Sequence, residues 1–140
     1  MPSQANATFK VTHWDEQPYH ETPAEGKLTR AHVTYSYEGD IEGEGTVEYL
    51  MAYPLADATR FVGLERVVGR LSGRSGSFVL RHDGTAGADG GIEDHIFVVP
   101  GSGTGELSGL RGEGTVVLSG HAESYPITLN YDVEESPASR

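Results

Sequence analysis

Four ionisable side chains fall in a register that points them toward an apolar interior: Glu65, His82, His13 and His95. Burial raises a carboxyl pKa and lowers an imidazole pKa, which tunes such groups toward acid–base work near neutrality. Glu65 as acid or base, with His82 as its proton partner, is therefore the candidate catalytic pair. Tyr49 and Tyr131 are candidate hydrogen-bond donors, and Tyr35, Met51, Phe78, His95 and Trp14 complete the set expected to touch a ligand. A structural role competes with each assignment. An arginine or a tyrosine hydroxyl can satisfy a buried Glu65, and a histidine at a strand end or hydrogen-bonded in a core needs no ligand.

These residues are placed by strands. Nearly every segment alternates apolar and polar residues with period two between Gly, Asp, Ser or Pro, and no apolar period of 3.6 persists for three turns. Eight strands are expected, near 6–14, 28–38, 41–53, 59–71, 75–83, 92–100, 112–120 and 124–134. Short turns at Glu38-Gly39-Asp40, Leu71 to Gly76 and Gly120 to Glu123 make neighbouring strands antiparallel. Longer loops are expected from Asp15 to Lys27, where Pro18 and Pro23 make a lid candidate, and from Thr85 to Gly91.

Parity then sorts the faces. Tyr125, Ile127, Leu129, Tyr131 and Val133 alternate with polar residues and point inward. So do Ile41, Val47, Tyr49, Met51 and Tyr53, with Glu42, Glu44, Thr46 and Glu48 in solvent. Ala31, Val33, Tyr35 and Tyr37 form the next inward row, and Phe9 and Val11 bring His13 with them. Phe61, Gly63, Val67 and Gly69 carry Glu65, and Phe78 and Leu80 carry His82. The sixth strand is ambiguous; Phe97 and Val99 inside would bring His95 and leave Asp94 outside.

The run Gly43-Glu44-Gly45-Thr46-Val47 recurs as Gly112-Glu113-Gly114-Thr115-Val116, half the strand count later, as corresponding positions across an eight-stranded barrel would. Glycines on one strand face relieve crowding where a small barrel bends. The 140 residues fit a single domain, 1–140, with about 1–5 and 135–140 expected as flexible tails. The absence of cysteine excludes disulfides, thiolate metal sites and cysteine nucleophiles. A formal charge of −11 opposes nucleic acid and anionic lipid. No metal-ligand spacing, nucleophile elbow or membrane span is present. The opening MPSQANATFK lacks a signal-peptide core, so the cytoplasm is the default compartment. His20, His32 and His121 read as loop or outward residues. Gly101-Ser102-Gly103-Thr104-Gly105 reads as turn geometry, because neither a GK[ST] ending nor a helix follows.

The stretch Val98 to Gly114, with its GSG turn and GELSGLRGEG connection, resembles the DUF3224 family of mostly bacterial proteins. So do Thr12 to Tyr19, Gly43 to Tyr53 and Phe61 to Gly84. The resemblance covers nearly the whole chain. It implies an all-β, eight-stranded antiparallel barrel like that of the allene oxide cyclases and, more loosely, the dirigent proteins. That superfamily encloses apolar cavities in which small molecules are bound, cyclised or coupled. Fold alone does not assign activity, and no catalytic position of the cyclases carries over residue by residue. The expected function is a lumen that binds a small apolar molecule and isomerises or cyclises it without a cofactor or metal; the alternative is a non-catalytic carrier or interaction module. A homo-oligomer is compatible with either.

Overall fold

A computed structural model describes residues 3–87, 90–119 and 122–134. Alternation becomes strand throughout: β1 (Ser3–Thr22), β2 (Gly26–Gly39), β3 (Ile41–Tyr53), β4 (Thr59–Leu71), β5 (Arg74–Ala86), β6 (Ile92–Val98), β7 (Leu110–Leu118) and β8 (Tyr125–Val133). Each strand pairs antiparallel with the next, and β8 pairs with β1 through Ser3↔Tyr131 to Phe9↔Tyr125, so the sheet closes into a barrel. No described helix is long and apolar enough to cross a membrane.

The tightest hairpin joins β4 to β5 through Ser72 and Gly73, both at positive φ (49° and 85°). Two consecutive positive φ values match the twist of the flanking strands, and Gly73 adopts its value without strain. The connection after β6 has a structural task. β5 pairs with β6 only from Leu80 onward, so its first half needs another partner. The 99–109 segment supplies one: Val99 N–H donates to the Val79 carbonyl at 2.9 Å and Thr104 N–H to the Ser77 carbonyl at 2.9 Å. Ser102 Oγ accepts from Val79 N–H at 3.0 Å, and Thr104 Oγ1 from Ser77 N–H at 3.0 Å. A short 3-10 turn at Gly105–Leu107 then buries Leu107 completely. The glycine-rich run is thus a turn that finishes the sheet edge, as its sequence indicates.

One half of the lumen is filled. Ala5, Ile41, Leu71, Phe78, Val98, Leu107, Leu110 and Leu129 are all buried at the end where β3 begins and β4 ends. The repeated GEGTV segments lie on β3 and β7, with Gly45 and Gly114 both on the inward parity. The opposite half is lined by Phe9, Tyr35, Tyr49, Met51 and Phe61.

Two expectations are corrected. The Asp15 to Lys27 segment is not a lid loop: β1 continues to Thr22 and pairs with β2 down to Thr22↔Gly26, with only a tight turn between them. Beyond Phe9, β1 has parted from β8 and is an edge strand, where Pro18 costs no hydrogen bond to a second neighbour. Residues 3–5 are not a tail, since they begin β1 and Ala5 is fully buried. Residues 1–2 and 135–140 of the expected tails, and Gly120 and His121 of the expected last turn, lie outside the described residues.

Candidate functional site

Glu65 on β4 and His82 on β5 share the inward face and meet: His82 Nε2 lies 2.6 Å from Glu65 Oε1. The other ring nitrogen, Nδ1, lies 2.6 Å from Asp94 Oδ2 on β6. On the far side, the Tyr37 hydroxyl donates to Glu65 Oε2. All four side chains are buried, Glu65 completely.

The register explains why they converge. Leu80 is paired with Glu65, and His82 is two residues further along β5; Ile96 is paired with His82, and Asp94 stands two residues before it on the antiparallel β6. Strands in a small barrel tilt, so a diagonal step of two residues per strand stays at one level of the lumen. Followed backward, the same diagonal passes from Val47, the partner of Glu65, to Gly45, and from Tyr35, the partner of Gly45, to Tyr37. Tyr37, Gly45, Glu65, His82 and Asp94 therefore form one belt across the barrel interior. Gly45 is the necessary gap in it. A Cβ there would stand 1.9 Å from Glu65 Oε2 and 3.0 Å from the Tyr37 ring. Gly63 and Gly84 play the same part beside the rings of Tyr49 and Phe61, where a Cβ would come within 2.7 and 2.4 Å.

Burial alone would push the His82 imidazole toward its neutral form. The hydrogen bonds and negative charge of Asp94 and Glu65 outweigh it and hold the ring's pKa at about 9. As an imidazolium, His82 donates from both nitrogens. Tyr35, Tyr37 and Tyr49 are held well above the ordinary phenol range, first by burial and also by the negative charge of Glu65, so they stay protonated donors.

The belt separates the packed half from a pocket of about 450 Å³. Its walls are Phe9, Val11, Trp14, Tyr35, Tyr49, Met51, Phe61, Ile92, Val116, Leu118 and Tyr125, and among the described residues Asp94 is the one carboxylate that lines it. Asp94 Oδ1 is buried and has no hydrogen-bond partner among the described residues. The Tyr35 and Tyr49 hydroxyls are 2.7 Å apart, Tyr49 stands edge-on to the rings of His82 and Phe61 at 5.4 Å in each case, and Trp14 lies 6.4 Å from Tyr49. At the mouth, Glu16 accepts from Trp14 Nε1 at 3.1 Å, from Thr29 Oγ1 at 2.6 Å and from the Tyr53 hydroxyl. Partial burial pushes the Glu16 carboxyl up, but these donors and Lys27 bring it below its ordinary value. The charged Glu16 thus fixes the indole at the rim.

Of the residues singled out from sequence, Glu65 and His82 form the belt, and Tyr35, Tyr49, Met51 and Trp14 line the pocket. Phe78 and Tyr131 do not. Phe78 is buried in the filled half, and Tyr131 is paired with Ser3 and Gly112 at the same end. His95 is on the outer surface: β6 presents Asp94, Ile96 and Val98 inward, and His95 and Phe97 outward, with Phe97 beneath the Arg81 guanidinium. His13 is also exposed. A bulge between Val11 and His13 inserts one residue, so parity reverses and Trp14, paired with Val33, takes the inward place. Asp94 was missed because an inward aspartate is costly in isolation; the two-residue diagonal from Glu65 through His82 points to it. His32 faces outward, as expected, and is bonded to Glu48. No group of three or more His, Asp or Glu among the described residues has the arrangement of a metal site.

The belt and the pocket sit in a fold found among solved structures. A crystal structure of a DUF3224-family protein of unknown function from Shewanella oneidensis superposes with a TM-score of 0.79 at 28% identity, over 97% of this chain and 100% of that one. No curated protein matches. The sequence profile of DUF3224, a family described as of unknown function, matches residues 5–131, which span all eight strands, and the chain belongs to that family.

Proposed function

We propose that the barrel binds one small, largely apolar molecule in the pocket above the belt. The observation that carries this reading is the pocket itself: about 450 Å³ of mainly aromatic and aliphatic wall with the carboxylate-bearing Asp94 in its lining. Ligand sites combine such apolar walls with a few convergent polar groups, and 450 Å³ is within their usual range. Native mass spectrometry of the protein purified from its host tests it. A retained small molecule, lost when Trp14 and Met51 are replaced by alanine, is the expected result. A bare protein that also fails to take up any apolar probe overturns the reading.

Proton transfer on the bound molecule, as an isomerase or cyclase would perform it, is a second reading, and one observation favours it. Glu65 and His82 do not line the pocket, but both are hydrogen-bonded through to Asp94, which does. The Asp94 carboxylate would exchange the proton, His82 would hold it in place, and the paired Tyr35 and Tyr49 hydroxyls would orient an oxygen of the guest. Incorporation of solvent deuterium into carbon positions of the retained molecule is expected on this reading. Incorporation that is unchanged in Asp94→Asn refutes it.

A further inference from the structure

The pocket carries a charge preference as well as a shape. Asp94 is 6% exposed, its Oδ1 has no partner among the described residues, and none of the described residues lining the pocket is a lysine, arginine or histidine. The belt behind it holds two carboxylates, Glu65 and Asp94, around a single imidazole. Acidic groups thus outnumber basic ones in the belt. The walls add to this. Trp14, Tyr35, Tyr49, Phe61 and Tyr125 surround the space, and aromatic faces attract cations through the ring quadrupole. An unpartnered buried carboxylate oxygen is costly, and an N–H donor bearing positive charge satisfies both its hydrogen-bonding and its electrostatic deficit.

We infer that the pocket selects an organic cation, a primary or secondary ammonium attached to an apolar body, with the ammonium on the Asp94 carboxylate and the body against the aromatic walls. This rests on the binding reading above and deepens it. It excludes the proton-transfer reading for the same guest, because an Asp94 serving as counter-ion is not free to act as a base. An anionic guest is opposed by the belt, and a neutral alcohol offers a donor without the charge.

The single tryptophan makes the test direct, since Trp14 lines the pocket and is the chain's only indole. Phenylbutylamine, phenylbutanol and phenylbutyrate share one apolar body and differ in the charge of its end. Titration of each into the full chain, read by Trp14 emission excited beyond the phenyl absorption, gives three affinities. The amine is expected to bind tighter than the alcohol by about 10-fold or more, as for a charge-assisted hydrogen bond, and the carboxylate weakest. In Asp94→Asn the amine should fall to the affinity of the alcohol, while the alcohol changes little; circular dichroism and a thermal melt confirm that the variant is folded. Equal affinities for all three, or an amine preference that survives in folded Asp94→Asn, overturn the ammonium assignment and leave the pocket as a ligand site. If no probe perturbs Trp14 up to millimolar concentration, the binding reading fails and this inference fails with it.

Discussion

Raising the pH should unfasten the belt from its centre. His82 is 3% exposed and its pKa is held at about 9 against an ordinary 6.5, so the folded state grips this proton more tightly than the unfolded chain does. A raised folded pKa contributes stability that is fully present below the unfolded value and is lost as the pH climbs through the folded one. The window therefore runs from about pH 6.5 to about pH 9. At about 1.4 kcal/mol for each pH unit between the two values, the loss is on the order of 3 kcal/mol. That is a large share of the roughly 5–15 kcal/mol typical of a folded domain. In a chain of this length it should lower the melting temperature by about 10 °C. The buried tyrosines do not confuse the result, because their raised values put their own titration above the window. The assay is urea unfolding at several pH values across the window, on the wild type and on His82→Gln. The expected outcome is a fall in the wild type that is absent from the variant, which starts less stable. A wild-type profile that is flat or rises from pH 6.5 to 9, or one that the variant reproduces, refutes the claim that two carboxylates hold His82 protonated.

Gly45→Ala places a methyl group 1.9 Å from Glu65 Oε2 and must push the carboxylate off Tyr37 and His82. A loss of about 3–5 kcal/mol is expected from the two charge-assisted bonds. In a Glu65→Ala background the same substitution should cost much less, and additive effects in a double-mutant cycle would contradict the packing. Tyr49→Ala should cost roughly 2–5 kcal/mol as an inward ring, and Glu44→Ala no more than about 0.5 kcal/mol as an outward surface residue. Chemical denaturation giving the reverse ranking would put the register of β3 in error.

Where alternation runs unbroken, the strand faces were legible. β2 to β5 and β8 needed only period two and their turns, and they suffice to bring Glu65 and His82 onto one inner face. β1 defeated that rule because its bulge at Thr12 adds a residue without any signature in side-chain chemistry, and Pro18 and Pro23 imitate loop punctuation in what is an edge strand. β6 defeated it differently. Ile96 and Val98 on one face compete with Phe97 and Val99 on the other, so hydrophobicity does not choose between Asp94 and His95. What decides is a neighbour: an imidazole already inside on β5 makes an inward carboxylate on β6 affordable, and that is a property of the barrel's tilt, invisible to any strand read alone.

The belt's asymmetry separates a site from scaffolding. Buried ionic groups can often be replaced by apolar ones without loss of stability, and the level below, built from Phe78, Leu80 and Leu129, shows that this barrel can fill itself with hydrocarbon. A cluster kept only to fix the register would be closed at both ends, because each unsatisfied buried acceptor costs about 1–3 kcal/mol. This one is closed at one end only. Toward the packed half, Glu65 has both oxygens engaged, by Tyr37 and by His82, with Gly45 cleared to make room. On the pocket side, Asp94 engages His82 with one oxygen, and the other is buried with no partner among the described residues. The cost of that bare oxygen is recovered when a donor arrives in the pocket, so its affinity for such a guest and its penalty in the empty barrel are the same free energy seen from two sides.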